Sequence, residues 1–185
     1  MVFLGSFRAW HGVLGFMRAA TMLLEAGVAA DFLLVGDGPE RQQAEREAAR
    51  WPGRFVFSGA VPYERVPALL GSADVGVAPF DTAPHPALRA AGFFWSPLKI
   101  YEYMAAGLPV VTAAIPPLTT IIRDGVDGLI YPEGDIAALA GAIRRLVEQP
   151  EQASQMGASG CVRVAERYSW DRHCAALDDI IGQIA

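Results

Sequence analysis

Short apolar runs alternate with helix-length amphipathic stretches along this chain of 185 residues, and that alternation limits the fold more than any other feature. Residues 2–5 (VFLG), 31–35 (DFLLV), 54–57 (RFVF), 74–78 (DVGVA), 109–112 (PVVT) and 129–131 (LIY) read as strands. Helical periodicity runs from Gly12 to about Ala26, over residues 40–50, and more briefly over 62–70. From Asp135 onward the pattern is helical, with breaks near Pro150 and Ser169. Apolar strands joined by helical crossovers form a parallel sheet covered on both faces. The predicted class is therefore α/β, in one domain spanning residues 1–185.

Composition removes several classes of function. The formal net charge is −5, with both signs scattered along the chain, so the basic footprint of a nucleic-acid binder is missing. No run of 18 apolar residues escapes interruption by Gly, Pro or a charge, and no membrane-spanning helix is predicted. The opening MVFLGSFRAWHG carries neither a basic leader nor a cleavage site and is not read as a signal peptide. Cys161 and Cys174 fit neither a metal spacing nor a disulfide framework; two buried thiols in a reducing, cytoplasmic compartment are expected. His11, His85 and His173 lack a ligand spacing, so no metal is expected.

One unit stands out for its chemistry: SPLKIYEYMAAGLPVV, residues 96–111. Ser96 is a good N-cap, and Pro97 suits the first helical position. Gly107 can take the left-handed conformation past the helix end, and Pro109 blocks continuation. Lys99 sits in the first turn, where the helix dipole disfavours a cation. An anion bound at that helix start would reverse the sign. Lys99 is the only lysine, beside 14 arginines. The alternative is a surface pair with Glu102 at i,i+3, worth ~0.2–0.5 kcal/mol.

In a parallel α/β sheet, ligands bind at the carboxyl ends of the strands, near the switch in strand order. Residues 5–12, 36–39, 59–62, 79–96 and 113–117 are placed there. The segment 79–96 shows no clear pattern and is expected to be a lid or binding loop. It carries Asp81, His85, Arg89, Phe93, Phe94 and Trp95. Its adjacent aromatics can stack on a flat ligand, pack under the sheet or meet another domain. Gly36-Asp37-Gly38 begins like a dinucleotide fingerprint, but Arg41 holds the third glycine position and the third strand lacks a terminal acid. A phosphate-binding Walker pattern and a GxSxG elbow are both missing.

Taken in order, FLGSFRAWHG, LLVGDGPER, FVFSGAVP, ADVGVAPF, SPLKIYEYMAAGLPVV, IIRDGVDGLIYPEGD and YSWD resemble the donor-binding, C-terminal half of family 4 glycosyltransferases. Those are retaining enzymes of the GT-B architecture, and the resemblance covers nearly the whole chain. It implies a Rossmann-like sheet facing an N-terminal domain across a cleft. The helices beyond about residue 151 would pack across this domain or toward that missing one. The donor implied is a nucleoside diphosphate sugar, UDP- or GDP-linked, with no further cofactor and usually no divalent metal. The missing N-terminal domain would supply most of the acceptor site and any peripheral membrane contact.

The resemblance also implies site residues. Glu102 falls on the family's ribose-binding Glu, and a carboxylate suits two hydroxyl donors. An earlier Glu, against the donor sugar, would fall on Phe94; either Ser96 or Lys99 takes part of its role, or the donor is held differently. The Arg and Lys that grip the diphosphate would fall on Ser6 and His11. Arg8 lies between them and would supply charge, aided by a protonated His11. Lys99, Arg8 and His11 are thus the expected stabilisers of the leaving diphosphate. Gly5, Gly36, Gly38, Gly59, Val61, Ser96, Pro97 and Leu98 complete the expected binding surface, with the base held by backbone near residues 59–62.

The activity implied is sugar transfer to a hydroxyl acceptor with retained configuration, carried out by the full-length protein. The chain alone would bind nucleotide weakly and turn nothing over. Two other readings stay open: a non-catalytic nucleotide-sugar-binding or interaction module, and half of a GT-B nucleotide-sugar epimerase.

Overall fold

The computed structural model describes residues 1–93 and 96–184. Phe94 and Trp95, which carry two of the expectations above, lie outside them. Strands β1 (Val2–Leu4), β2 (Phe32–Val35), β3 (Phe55–Gly59), β4 (Gly76–Ala78), β5 (Val110–Ala113) and β6 (Gly128–Tyr131) form one sheet. Every pairing is parallel, in the order β3-β2-β1-β4-β5-β6. The chain steps outward from β1 to β3, then returns to lay β4 on the other side of β1. The switch point therefore lies between β1 and β4, where crossovers depart to opposite sides and leave a crevice.

Nine helices surround the sheet among the described residues: α1 (Val13–Glu25), α2 (Arg41–Ala48), α3 (Val66–Leu70), α4 (Pro86–Ala91), α5 (Leu98–Ala105), α6 (Leu118–Ile121), α7 (Ile136–Glu148), α8 (Pro150–Arg167) and α9 (Trp170–Ile184). Helix α1 packs on α2 and α7, while α5 packs on α8, β4 and β5. Strands β4 and β5 are buried at every residue, as unbroken apolar runs in a doubly covered sheet should be. The edge strand β3 instead alternates between half-buried and exposed positions. Phe3, Phe7, Phe16 and Phe32 interlock beneath α1 with ring centroids 5.7–6.2 Å apart. Truncating any of these rings to alanine is worth about 3–5 kcal/mol.

Several expectations need correction. Residues 79–96 are not without structure, because α4 forms within them and Asp81 N–H donates to the Trp10 carbonyl. Ser96 does not cap α5. The helix starts at Leu98, Pro97 stands at the cap, and the Leu98 N–H is taken by the Ser96 carbonyl rather than by a side chain. The far end follows expectation, with Gly107 at φ +72°. The cysteines are not buried thiols: Cys161 is half-exposed on α8, and Cys174 is exposed on α9. The apolar face of α9, including Trp170, Leu177, Ile180 and Ile181, stands open, so that helix offers no interior for a thiol. No helix among the described residues is long and apolar enough to cross a membrane.

Candidate functional site

The site is built where β1 ends. Gly5 leaves the strand at φ +141°, and its N–H is fixed by the Val35 carbonyl. A single 3-10 turn, Ala9–His11, then brings the chain to Gly12, which opens α1 at φ +74°. A Cβ on Gly12 would overlap the Pro79 carbonyl, so only glycine lets the loops after β1 and β4 meet. The β2 loop closes against the same segment. Gly36 abuts the Gly5 carbonyl, Gly38 abuts the Phe7 backbone, and Phe7 N–H donates to Asp37 O.

Lys99 enters this crevice from α5. Its ammonium lies 4.5 Å from the centroid of the Phe3 ring and 4.8 Å from that of Phe80. A Cβ placed on Gly5 would come within 2.8 Å of Lys99 Nζ and 3.2 Å of His11 Nδ1. The lysine is only 6% exposed, yet its Nζ has no hydrogen-bond partner among the described residues. The pairing with Glu102 is therefore not realised as a direct contact; the side chain turns inward between two rings. Burial pulls its pKa down to about 7, with only the Glu102 charge opposing. Buried ammonium groups are ordinarily paired, because an unpaired one is costly to desolvate. Two aromatic faces compensate in part.

His11 faces the same space. Its Nδ1 donates to the Ser6 carbonyl at 2.9 Å and lies 3.1 Å from Ser6 Oγ. Burial, then the Lys99 charge, then Arg8 hold its pKa down at about 4, against the Ser6 bond. With that pKa the ring is neutral at pH 7, and the protonated form expected beside a diphosphate requires the anion to raise it. Arg8 is exposed and lays its guanidinium 5.3 Å from the Trp10 centroid. Phe80 packs edge-on against both His11 and Phe93, closing the apolar side of the pocket. Trp10 and His85 meet at 5.0 Å, joining the loops after β1 and β4.

Glu102 is half-buried on the next turn of α5, with its carboxyl pKa raised by burial and lowered by Lys99. Leu98 projects outward, 63% exposed, and Pro97 is buried. At the end of β3, Gly59 and Val61 are half-buried. Arg41 lies over Gly59, with Nη1 3.2 Å from its Cβ position, and is held by Asp37 at 3.0 Å and Glu45 at 2.8 Å. In the sequence Arg41 stands out only as the residue at a missing third glycine position. The roles of Phe3, Phe80 and Tyr103 depend on packing and carry no sequence signal. Among the described residues, no group of three or more His, Cys, Asp or Glu is placed to hold a metal ion.

Known proteins share the sequence and the fold. The family described as glycosyl transferases group 1 matches residues 1–149. A 2-deoxystreptamine N-acetyl-D-glucosaminyltransferase from Streptomyces fradiae is 32% identical over 151 residues, covering 80% of this chain and 33% of that protein. A GDP-mannose-dependent phosphatidylinositol dimannoside mannosyltransferase from Mycobacterium tuberculosis is 32% identical over 168 residues, 90% of this chain and 39% of its own. The chain thus spans between a third and two-fifths of the length of these relatives. Sucrose-phosphate synthase from Thermosynechococcus elongatus superposes at TM-score 0.81 with 25% identity, over 99% of this chain and 44% of that one. Anabaena HepE, solved with UDP, superposes at TM-score 0.82 with 19% identity, over 98% of this chain and 48% of that one. With the Rossmann-like sheet of a C-terminal GT-B domain, this chain belongs to the group 1 glycosyltransferase family.

Proposed function

We propose that the chain is the donor-binding half of a retaining, family 4 type glycosyltransferase that moves a sugar from a nucleoside diphosphate to a hydroxyl acceptor. The observation that carries this reading is the buried, unpartnered ammonium of Lys99 beneath Gly5 at the switch-point crevice. A cation kept there without a partner is suited to receive an anion, and a diphosphate supplies one at the start of a helix. In this reading Lys99, Arg8 and His11 steady the departing diphosphate, His11 gaining a proton as the anion arrives. Glu102 accepts the ribose hydroxyls from one turn further along α5. Backbone groups near Gly36, Gly38, Gly59 and Val61 flank the base, which is uracil or guanine; relatives and neighbours named for GDP-mannose or solved with UDP motivate that choice.

The chemistry asked of this half is electrostatic. Charge developing on the leaving phosphate is met by fixed cations in a desolvated crevice, and no proton transfer at the sugar is assigned to it. The acceptor site belongs to an N-terminal domain, and the exposed apolar stripe of α9 is suited to lie against it. The whole protein works in the cytoplasm on this reading, and membrane contact would come through that other domain. Calorimetric titration of the chain with UDP, GDP and ADP tests the proposal. Saturable binding of UDP or GDP, lost in Glu102→Ala, is expected; no binding by any of the three would favour a non-catalytic module. Joined to an N-terminal domain, the protein should form a new glycoside and free nucleotide, and an epimerised nucleotide sugar would instead identify an epimerase.

A further inference from the structure

The ladder between β1 and β4 stops early. Val2 pairs with Gly76, and Val2 N–H donates to the Val75 carbonyl at 2.8 Å. Two residues on, a regular parallel ladder would have Leu4 N–H meet the Val77 carbonyl. Instead the hydroxyl of Tyr103 stands between them. Leu4 N–H donates to Tyr103 Oη at 2.7 Å, and the hydroxyl donates to Val77 O at 3.3 Å. The tyrosine is fully buried, and burial drives its ionisation far above the ordinary range, so the hydroxyl stays a donor. A Cβ on Gly76 would overlap the Tyr103 ring, which is why β4 begins with a residue that has none.

Tyr103 and Lys99 are four residues apart on α5, on one face and one turn removed. The tyrosine fills the gap between β1 and β4, and the lysine extends past it toward Gly5, Phe3 and Phe80. We propose that Tyr103 is a positioning residue, whose hydroxyl holds β1 and β4 apart at their carboxyl ends and so creates the slot that keeps Lys99 Nζ beneath Gly5. The inference rests on the reading of Lys99 as a diphosphate receptor, which it deepens. Without the bridging hydroxyl, Leu4 N–H and the Val77 carbonyl can bond directly, the slot narrows, and the ammonium is displaced toward solvent. The charged and titratable groups acting on this cation and its neighbour are Glu102 on α5 and His11 and Arg8 on the β1 loop.

Because Lys99 is the sole lysine, the chain labelled with [13Cε]lysine gives one signal whose pH titration reports this ammonium alone. The experiment follows that signal with and without inorganic pyrophosphate in wild type, Tyr103→Phe and Thr112→Val. Thr112 is the control, because its buried hydroxyl donates to Ala78 O at 3.0 Å on the far side of β4 from the crevice. Tyr103→Phe is expected to raise the Lys99 midpoint by about one pH unit or more and to weaken pyrophosphate about tenfold. Thr112→Val should leave both where wild type has them. Gly76→Ala displaces the ring instead of removing the hydroxyl and should move Lys99 in the same direction, which serves if Tyr103→Phe does not fold. A folded Tyr103→Phe with a wild-type midpoint overturns the proposal, as does an equal shift in Thr112→Val. If pyrophosphate leaves the wild-type signal unmoved, the diphosphate reading fails, while the midpoint shift still decides the role of Tyr103.

Discussion

The Nζ of Lys99 lies 2.8 Å from the point at which a side chain on Gly5 would begin, and it has no hydrogen-bond partner among the described residues. A lysine and a glycine 94 positions apart in the chain are thus fitted to each other by the meeting of α5 with the end of β1. The glycine makes the space, and the lysine charges it. Folding alone gains little from that arrangement, since an apolar side chain would fill the same slot without the desolvation cost. Binding gives it a purpose.

Lys99→Met should therefore stabilise the chain while removing its affinity for nucleoside diphosphates. The folded-state pKa of about 7 lies below the ordinary 10.5, so folding penalises the charged form. That penalty is fully present below pH 7, shrinks as pH rises toward 10.5, and vanishes above it. Relief of about 4–5 kcal/mol is expected at pH 6 and almost none at pH 11. Chemical denaturation at the two pH values measures it. A methionine variant less stable than wild type at pH 6 would contradict the assignment.

Nucleotide affinity should depend on pH in one direction. An anion beside Lys99 raises its pKa, so binding takes up protons, and affinity falls as pH rises past about 7. His11 begins from about 4, so its uptake adds to the slope at lower pH. Titrations between pH 6 and 9 in buffers of different ionisation enthalpy would measure that uptake. Affinity that is flat across this range would remove Lys99 from the contact.

Gly5→Ala should reduce affinity about tenfold or more, because the new Cβ crowds both Lys99 and His11 at a backbone conformation costly for L residues. Thermal unfolding and diphosphate titration of the same sample separate the two effects. Lost stability with unchanged affinity would show that the Gly5 contact is structural only.

Much of this architecture is legible in the amino-acid sequence. The strands at residues 31–35, 74–78 and 109–112 announce themselves because a doubly covered parallel sheet demands unbroken apolar runs. The helix end at Gly107 follows from local backbone sterics, which neighbouring residues determine. Ser96 misleads for the same local reason: a nearby backbone carbonyl takes the N–H that its hydroxyl was expected to satisfy. The cysteines mislead because periodicity identifies an apolar stripe but not whether anything covers it, and the stripe of α9 is bare. The protonation of His11 depends on burial and on a cation from a distant helix, neither encoded in its neighbours. Tyr103 is the clearest case. Nothing in EYMAAG marks its hydroxyl, and only the early end of the β1–β4 ladder reveals what that hydroxyl does.

Outside the crevice, the turn before β6 is fastened by Asp127, whose side chain is fully buried. It accepts from Arg123 at 2.6 and 2.7 Å and from Ser159 Oγ at 2.9 Å. The bonds from Arg123 and Ser159, with the Arg123 charge, outweigh burial and hold its carboxyl below the ordinary carboxylate range. Its contribution is therefore present above the unfolded pKa and lost as pH falls through the folded one. Asp127→Asn should cost about 2–3 kcal/mol at pH 7 and progressively less on acidification, with nucleotide affinity unchanged. Urea unfolding at pH 7 and pH 3 provides the comparison, and an equal cost at both would rule out the ionised carboxylate as the source.

A crystal structure of the chain with whichever of UDP or GDP binds would show where the diphosphate lies. A diphosphate oxygen is expected about 3 Å from Lys99 Nζ, at the end of β1 beside Gly5, with the ribose against Glu102. A diphosphate bound elsewhere, with Lys99 still facing only Phe3 and Phe80, would contradict it.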